Sequence, residues 1–243
     1  MSFRCFFWLL PSAAFVLGCV GDSVTPTVVP DAGTDAAADA PISCVAPKSI
    51  CANACVDTTT DPDNCGGCGN KCGACYQGNC AKRVFVTHRT YTGAEIGGLG
   101  NADTACKNAA NANALPGDYR AWLSTADPGT AVQSRFSTKF NGFYVLAKDP
   151  KTKVADSWGA GVPFDAKHSI DVDETGAKVS PGFVHTNTNA FGQPVTDVND
   201  NSCSNFTSTT GNTHMGRTDN VATWTEYASQ ACSTPGYLYC FEQ

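Results

Sequence analysis

The chain has 243 residues, 14 cysteines and a formal net charge of −6, a length that allows one or two domains. From residue 81 onward, 13 basic residues stand against 15 acidic ones and form no basic stripe. That balance argues against nucleic acid as a partner, because nothing is built to follow a phosphate backbone.

Residues 1–18 carry one positive charge, Arg4, and then the apolar runs Phe6 to Leu10 and Ala13 to Leu17. This is too short for a membrane span of about 20 residues, and Pro11 interrupts it, so it reads as a signal peptide. It ends in Val16-Leu17-Gly18-Cys19, which resembles a bacterial lipobox, although Leu17 is bulkier than the small residue usual at that place. The alternative is an ordinary signal peptide with Cys19 incidental. Lipidation of Cys19 is favoured because it removes Cys5 and leaves every other cysteine pairable. Several acyl chains anchor a protein stably where one is marginal. Val20 in place of Asp after the cysteine favours the outer membrane, so a surface-exposed outer-membrane lipoprotein of the cell envelope is expected. Residues 19–43 then form a lipidated tether. Its Ala, Asp, Thr, Pro and Val show no 3.6 or 2.0 period and no aromatic, which predicts disorder. About 24 such residues reach on the order of 27 Å.

Residues 44–81 hold Cys44, Cys51, Cys55, Cys65, Cys68, Cys72, Cys75 and Cys80. A segment this short needs covalent or metal staples. Paired CxxC elements can chelate zinc, but an exported chain favours four disulfides. No βαβ pattern surrounds either CxxC, which weakens a redox reading. Asp61-Pro62-Asp63-Asn64 and Gly66-Gly67-Cys68-Gly69-Asn70 are turn chemistry. The string from Cys55-Val56-Asp57 to Cys72, closed by Gly78-Asn79-Cys80, resembles the repeat of stigma-specific cysteine-rich proteins. That resemblance implies a compact disulfide knot acting as spacer or interaction module, without catalysis.

Residues 82–243 are long enough to sustain a core of their own. Arg83 to His88 alternates and is β-branched, which predicts a strand. Asn101 can cap a helix whose Ala102, Ala105, Cys106, Ala109 and Ala110 share one face, and Pro116-Gly117 stops it. Asp118 to Ser124 reads as a second strand and Gly129 to Phe136 as a short second helix. Asn141-Gly142 is a turn before the strand Phe143 to Leu146. From Trp158 to Thr223, Gly, Asn, Thr, Asp and Ser dominate, which predicts long irregular loops held by Cys203 and Cys232. Tyr237 to Phe241 is an apolar final strand.

This order of elements resembles the C-type lectin-like fold, and within it endostatin and a bacterial endostatin-like family of unassigned function. The residues that carry the likeness are Gly97 to Cys106, Leu115 to Ser124, Phe183 to Thr186, Cys203 to Ser208, and Cys232 ahead of Leu238 to Glu242. The expected fold class is therefore α+β, an endostatin-like, C-type lectin-like domain behind a small disulfide-rich module. The resemblance implies bridges Cys106–Cys240 and Cys203–Cys232, with the terminal strands side by side. The calcium-dependent sugar-binding motif of such lectins is not matched. Gln193-Pro194-Val195 and Trp224-Thr225-Glu226 stand in the two places, so the oxygen ligands calcium needs are missing. Endostatin's basic heparin-binding face and its zinc histidines have no counterpart either.

His88, His168, His185 and His214 show no HxxxH or HxH spacing, and each reads as a strand or loop residue before a metal ligand. With no G-x-S-x-G, no free cysteine and no carboxylate pair in an apolar frame, nucleophilic catalysis lacks its parts, and no enzyme and no cofactor are expected. Asp171 to Gly176 resembles a calcium loop but suits a hairpin turn better. Thr196 to Asn201 is the densest oxygen cluster, read as a solvated loop before a ligand cage. Trp158, Trp224 and Tyr227 suit core packing and ligand stacking equally. The candidate ligand-binding residues are His185, Asn199, Asp200, Trp224 and Glu226. The expected function is a membrane-anchored, non-enzymatic binding or adhesion module for an extracellular or envelope ligand, a glycan or a protein. The alternatives are a passive structural envelope protein, or an enzyme of the formylglycine-generating-oxidase type, which needs reactive cysteines.

Overall fold

The computed structural model describes residues 42–136, 140–159, 161–179, 181–196 and 201–243. The expected signal peptide, Cys19 and nearly all of the tether lie outside these, as do Asn199 and Asp200. Among the described residues no helix is long and apolar enough to cross a membrane.

The cysteine-rich segment is two hairpins. Strands β1 (Lys48–Cys51) and β2 (Ala54–Asp57) pair antiparallel, and β3 (Ala74–Tyr76) pairs with the start of β4 (Asn79–Val86). Both are closed by two residues with positive φ, Ala52-Asn53 and Gln77-Gly78, the primed turns that match strand twist. All eight cysteines are in disulfides: Cys44–Cys55, Cys51–Cys68, Cys65–Cys75 and Cys72–Cys80. The zinc alternative therefore falls away, because no thiolate remains to ligate a metal.

Strand β4 continues without a break into the larger body, and the boundary expected after residue 81 lies inside it. The helices that follow are α1 (Gly93–Ile96) and α2 (Leu99–Ala112). Thr92 and Glu95 close a reciprocal capping box on α1. Helix α2 starts two residues before the expected cap, with Gly98 at φ 94°, while the Asn101 amide donates to the Gly97 carbonyl. Ala102, Cys106 and Ala110 form its buried stripe, and their small side chains let the helix lie close to the sheet. Next come β5 (Tyr119–Ala121), a 3-10 turn at Pro128–Thr130, α3 (Val132–Arg135), β6 (Phe143–Leu146) and β7 (Asp149–Ala155). The expected loop region contains β8 (Phe183–His185), α4 (Ser202–Phe206) and β9 (Asn212–Arg217). The chain ends with β10 (Ala228–Ala231) and β11 (Tyr239–Glu242).

The main sheet has the order β5-β11-β4-β6-β7, and β8, β9 and β10 form a second antiparallel sheet. The last strand lies antiparallel beside β4, with Phe241 opposite Val84 and Cys240 opposite Phe85. Period-two alternation sorts these residues into two layers. Val84, Val86, Tyr239 and Phe241 face an aromatic core with Trp122, Trp158, Phe164 and Trp224. Phe85, Leu238 and Cys240 face helix α2. Cys106 of α2 is bonded to Cys240, and Cys203 of α4 to Cys232.

The penultimate residue, Glu242, ties the hairpin segment to this sheet. Its carboxylate accepts a hydrogen bond of 2.8 Å from the Arg83 amide, and burial pushes its pKa up. Gly73 and Gly117 both lie against that carboxylate. A Cβ on Gly117, which sits at φ +101°, would come within 2.7 Å of Glu242 Oε1. Gly117→Ala is therefore expected to cost about 1–3 kcal/mol through this clash and the left-handed backbone, read as a lower urea midpoint. The Cys106–Cys240 bridge closes a sequence separation of 134 residues. Replacing both cysteines by alanine should cost about 4–5 kcal/mol by loop entropy. An unchanged thermal midpoint in that double variant would show that the bridge does not constrain the unfolded chain.

Candidate functional site

The segment Arg217 to Tyr227, which returns from β9 to β10, borders two clefts. It can fold back tightly because residue 216 is glycine. A Cβ there would overlap the Trp224 carbonyl carbon, at 2.6 Å, and its oxygen. The Trp122 indole donates to the Thr225 hydroxyl at 2.7 Å, which in turn donates to the Thr188 carbonyl at 2.7 Å. The Thr186 hydroxyl donates to the Thr225 carbonyl, and the Thr188 and Ser124 hydroxyls are bonded at 3.0 Å. These hydroxyls are fully or almost fully buried, so the network supplies the partners that buried polar groups require. It fixes the base of the segment to the chain that follows β5 and to the loop after β8.

The first cleft, of about 510 Å³, lies between residues 167–181 and Thr218 to Val221. Most of its charges are already paired: Lys178 with Asp171 at 3.0 Å, and Asp219 with the Arg217 fork through two bonds of 2.9 Å. The second cleft, of about 320 Å³, is lined by Pro163 to Ala166, Ala190 and Val221 to Glu226, with Thr223 excepted. Val221 belongs to both. Asp165 at its edge is paired with Lys167.

Of the five candidate residues, the structure brings Trp224 and Glu226 together in the second cleft and places His185 elsewhere. Trp224 is 3% exposed and packs on Trp122 and Phe164 with ring centroids 5.0 Å apart, so it serves as floor and core. Trp158 is likewise buried. Tyr227 is the exposed member of that trio, with its ring under the Arg217 guanidinium. Glu226 is exposed. Asn199 and Asp200 lie outside the described residues. Sequence reasoning missed Asp165, Phe164 and Val221. The one available signal was an apolar pair, Val221-Ala222, directly after the polar text Thr218-Asp219-Asn220.

His185 is fully buried, edge-on to Phe206, with Nε2 2.8 Å from the Tyr91 carbonyl oxygen. A carbonyl only accepts, so Nε2 carries the proton and donates. Burial pushes the His185 pKa down to about 4. In Asp171 to Gly176, one Asp173 oxygen accepts from the Thr175 and Ala177 amides, and Val172 bridges to Lys178. Those carboxylate lone pairs are spent on a hairpin turn. Among the described residues no group of three or more His, Cys, Asp or Glu is arranged to hold a metal ion.

The sequence matches no protein-family model and no curated protein.

The His185 environment has a consequence for pH. Folded His185 stays neutral down to about pH 4, whereas the unfolded ring takes a proton below its ordinary value of about 6.5. The unfolded state therefore binds more protons in this window, and stability is lost as pH falls through it. The loss from this one ring amounts to about 3 kcal/mol between pH 6.5 and 4. Denaturant melts at both pH values should show that increment in the wild type and lack it in His185→Gln.

Proposed function

We propose that this chain is a surface-tethered bacterial lipoprotein that acts as a non-enzymatic ligand-binding or adhesion module. In this reading residues 83–243 form an endostatin-like, C-type lectin-like domain that engages its ligand without calcium. The observation that carries it is the pair of clefts sharing Val221, held on one side of a disulfide-pinned scaffold by a buried hydroxyl network. Binding residues on loops positioned by a rigid frame are the usual arrangement for recognition. The antiparallel pairing of β4 with β11 and the bridges Cys106–Cys240 and Cys203–Cys232 support the lectin-like reading of the fold. The pairing of all four C-terminal cysteines speaks against an oxidase of the formylglycine-generating type, which needs reactive thiols.

The test is a binding screen of the full oxidised chain against glycans and envelope polymers, repeated with EDTA. Binding that persists under chelation is the expected result. Uniform silence would favour the passive structural role. A stoichiometric micromolar calcium site on which binding depends would overturn the calcium-free mechanism.

A further inference from the structure

The exposed apolar side chains of the larger body are not scattered. Among the described residues from 82 onward, the large hydrophobics that are exposed are Val162 at 51%, Phe191 at 46%, Val221 at 41% and Tyr227 at 49%. Val221 lines the second cleft, and Val162 and Phe191 are chain neighbours of Pro163 and Ala190, which line it, whereas the Tyr227 ring packs on Phe183 and Arg217 outside it. The Phe164 amide donates to the Ala190 carbonyl at 2.7 Å, which sets the segments bearing Val162 and Phe191 side by side. An apolar rim concentrated around one concavity is the mark of an interaction site, whereas isolated exposed apolar residues are not.

The chemistry of the rim selects the partner. Asp165 and Glu226 both line the cleft, and Asp219 flanks it beyond Val221. Of the cations close by, Lys167 is paired with Asp165 and Arg217 with Asp219. That leaves the exposed Glu226 carboxylate as excess negative charge in the same cleft as the exposed Val221, on a chain of net charge −6. We infer that the second cleft is the docking site for a partner protein. The partner's contact segment sets one apolar or aromatic side chain against the exposed Val221 and a Lys or Arg against Glu226. The inference rests on the binding-module reading and narrows its ligand to a protein segment of basic-apolar character. The Glu226 carboxylate sets orientation and encounter rate.

The test is selection of a random phage-displayed peptide library on the full oxidised chain, followed by solution titration of the enriched peptides. Peptides joining an aliphatic or aromatic residue to Lys or Arg are expected. Val221→Asp and Glu226→Lys should each weaken them by about tenfold or more, while Val45→Asp, in the hairpin segment, should leave affinity unchanged. Near-UV circular dichroism of each variant checks that the fold is intact. Failure to enrich any peptide, enrichment of peptides without basic residues, or insensitivity to both cleft substitutions would each overturn the inference. Glycan binding in the earlier screen that is indifferent to Val221→Asp would sink this docking site and leave the binding-module reading standing.

Discussion

The pairing of β4 with β11 governs the rest of the structure. Two strands more than 150 residues apart lie antiparallel with Phe241 opposite Val84 and Cys240 opposite Phe85, so the sheet cannot form until both ends of the larger body have met. Loop-closure entropy makes such a contact expensive, and each doubling of the intervening length adds only about 0.6 kcal/mol more. The bridge Cys106–Cys240 offsets much of that cost by tethering the last strand to the first long helix. One alternation then settles two layers at once. Phe241 sends its ring among Trp122, Phe164 and Trp224, while Cys240 points at α2. A one-residue slip in this pair would exchange the layers and break the bridge.

The same strand joins the two cysteine-bearing parts. β4 pairs with β3 through Ala81 and Ala74 and with β11 from Val84 onward, and Glu242 closes against Gly73 and the Arg83 amide. The disulfide-rich segment is therefore continuous with the sheet. A boundary inside a strand has no turn residue to mark it, and none stands between Asn79 and Val86. The cysteine count, by contrast, made the disulfides legible. An even number is what complete pairing requires, whatever the path of the backbone.

Helix α2 and the strands around Phe143 and Tyr239 were legible because their apolar periods are strong and their stop signals are Pro and Gly. The candidate site was legible only in part. Trp224 and Glu226 were found, but nothing in composition separates a core tryptophan from a stacking one, and burial decides that question. His185, read as a strand or loop residue and a candidate ligand contact, ends strand β8 and is buried in the core. Its ring packs on Phe206 because α4 holds Cys203 to Phe206 with positive φ throughout. Left-handed turns cost non-glycine residues about 1–2 kcal/mol each, so Cys203-Ser204-Asn205-Phe206 gives no warning of one. The Cys203–Cys232 bridge and the buried Phe206 ring overdetermine the turn and keep it.

The loop region also shows why a text dominated by Thr, Asn, Ser and Gly can still be ordered. Such residues supply little apolar area, so burial alone cannot fix a chain made of them. Here the hydroxyls of Thr186, Thr188, Thr225 and Ser124 bond to one another and to backbone carbonyls, and Trp122 adds its indole N–H. A satisfied buried network of this kind specifies one geometry, because any displacement strands several polar groups at once. The large apolar residues nearby are thus freed from holding the loops. Val162, Phe191 and Val221 can therefore stand exposed on or beside the lining of the second cleft while the segment beneath them is fixed by hydroxyls. The loops do not need those side chains for their order, because the hydrogen-bond network already holds them in one geometry.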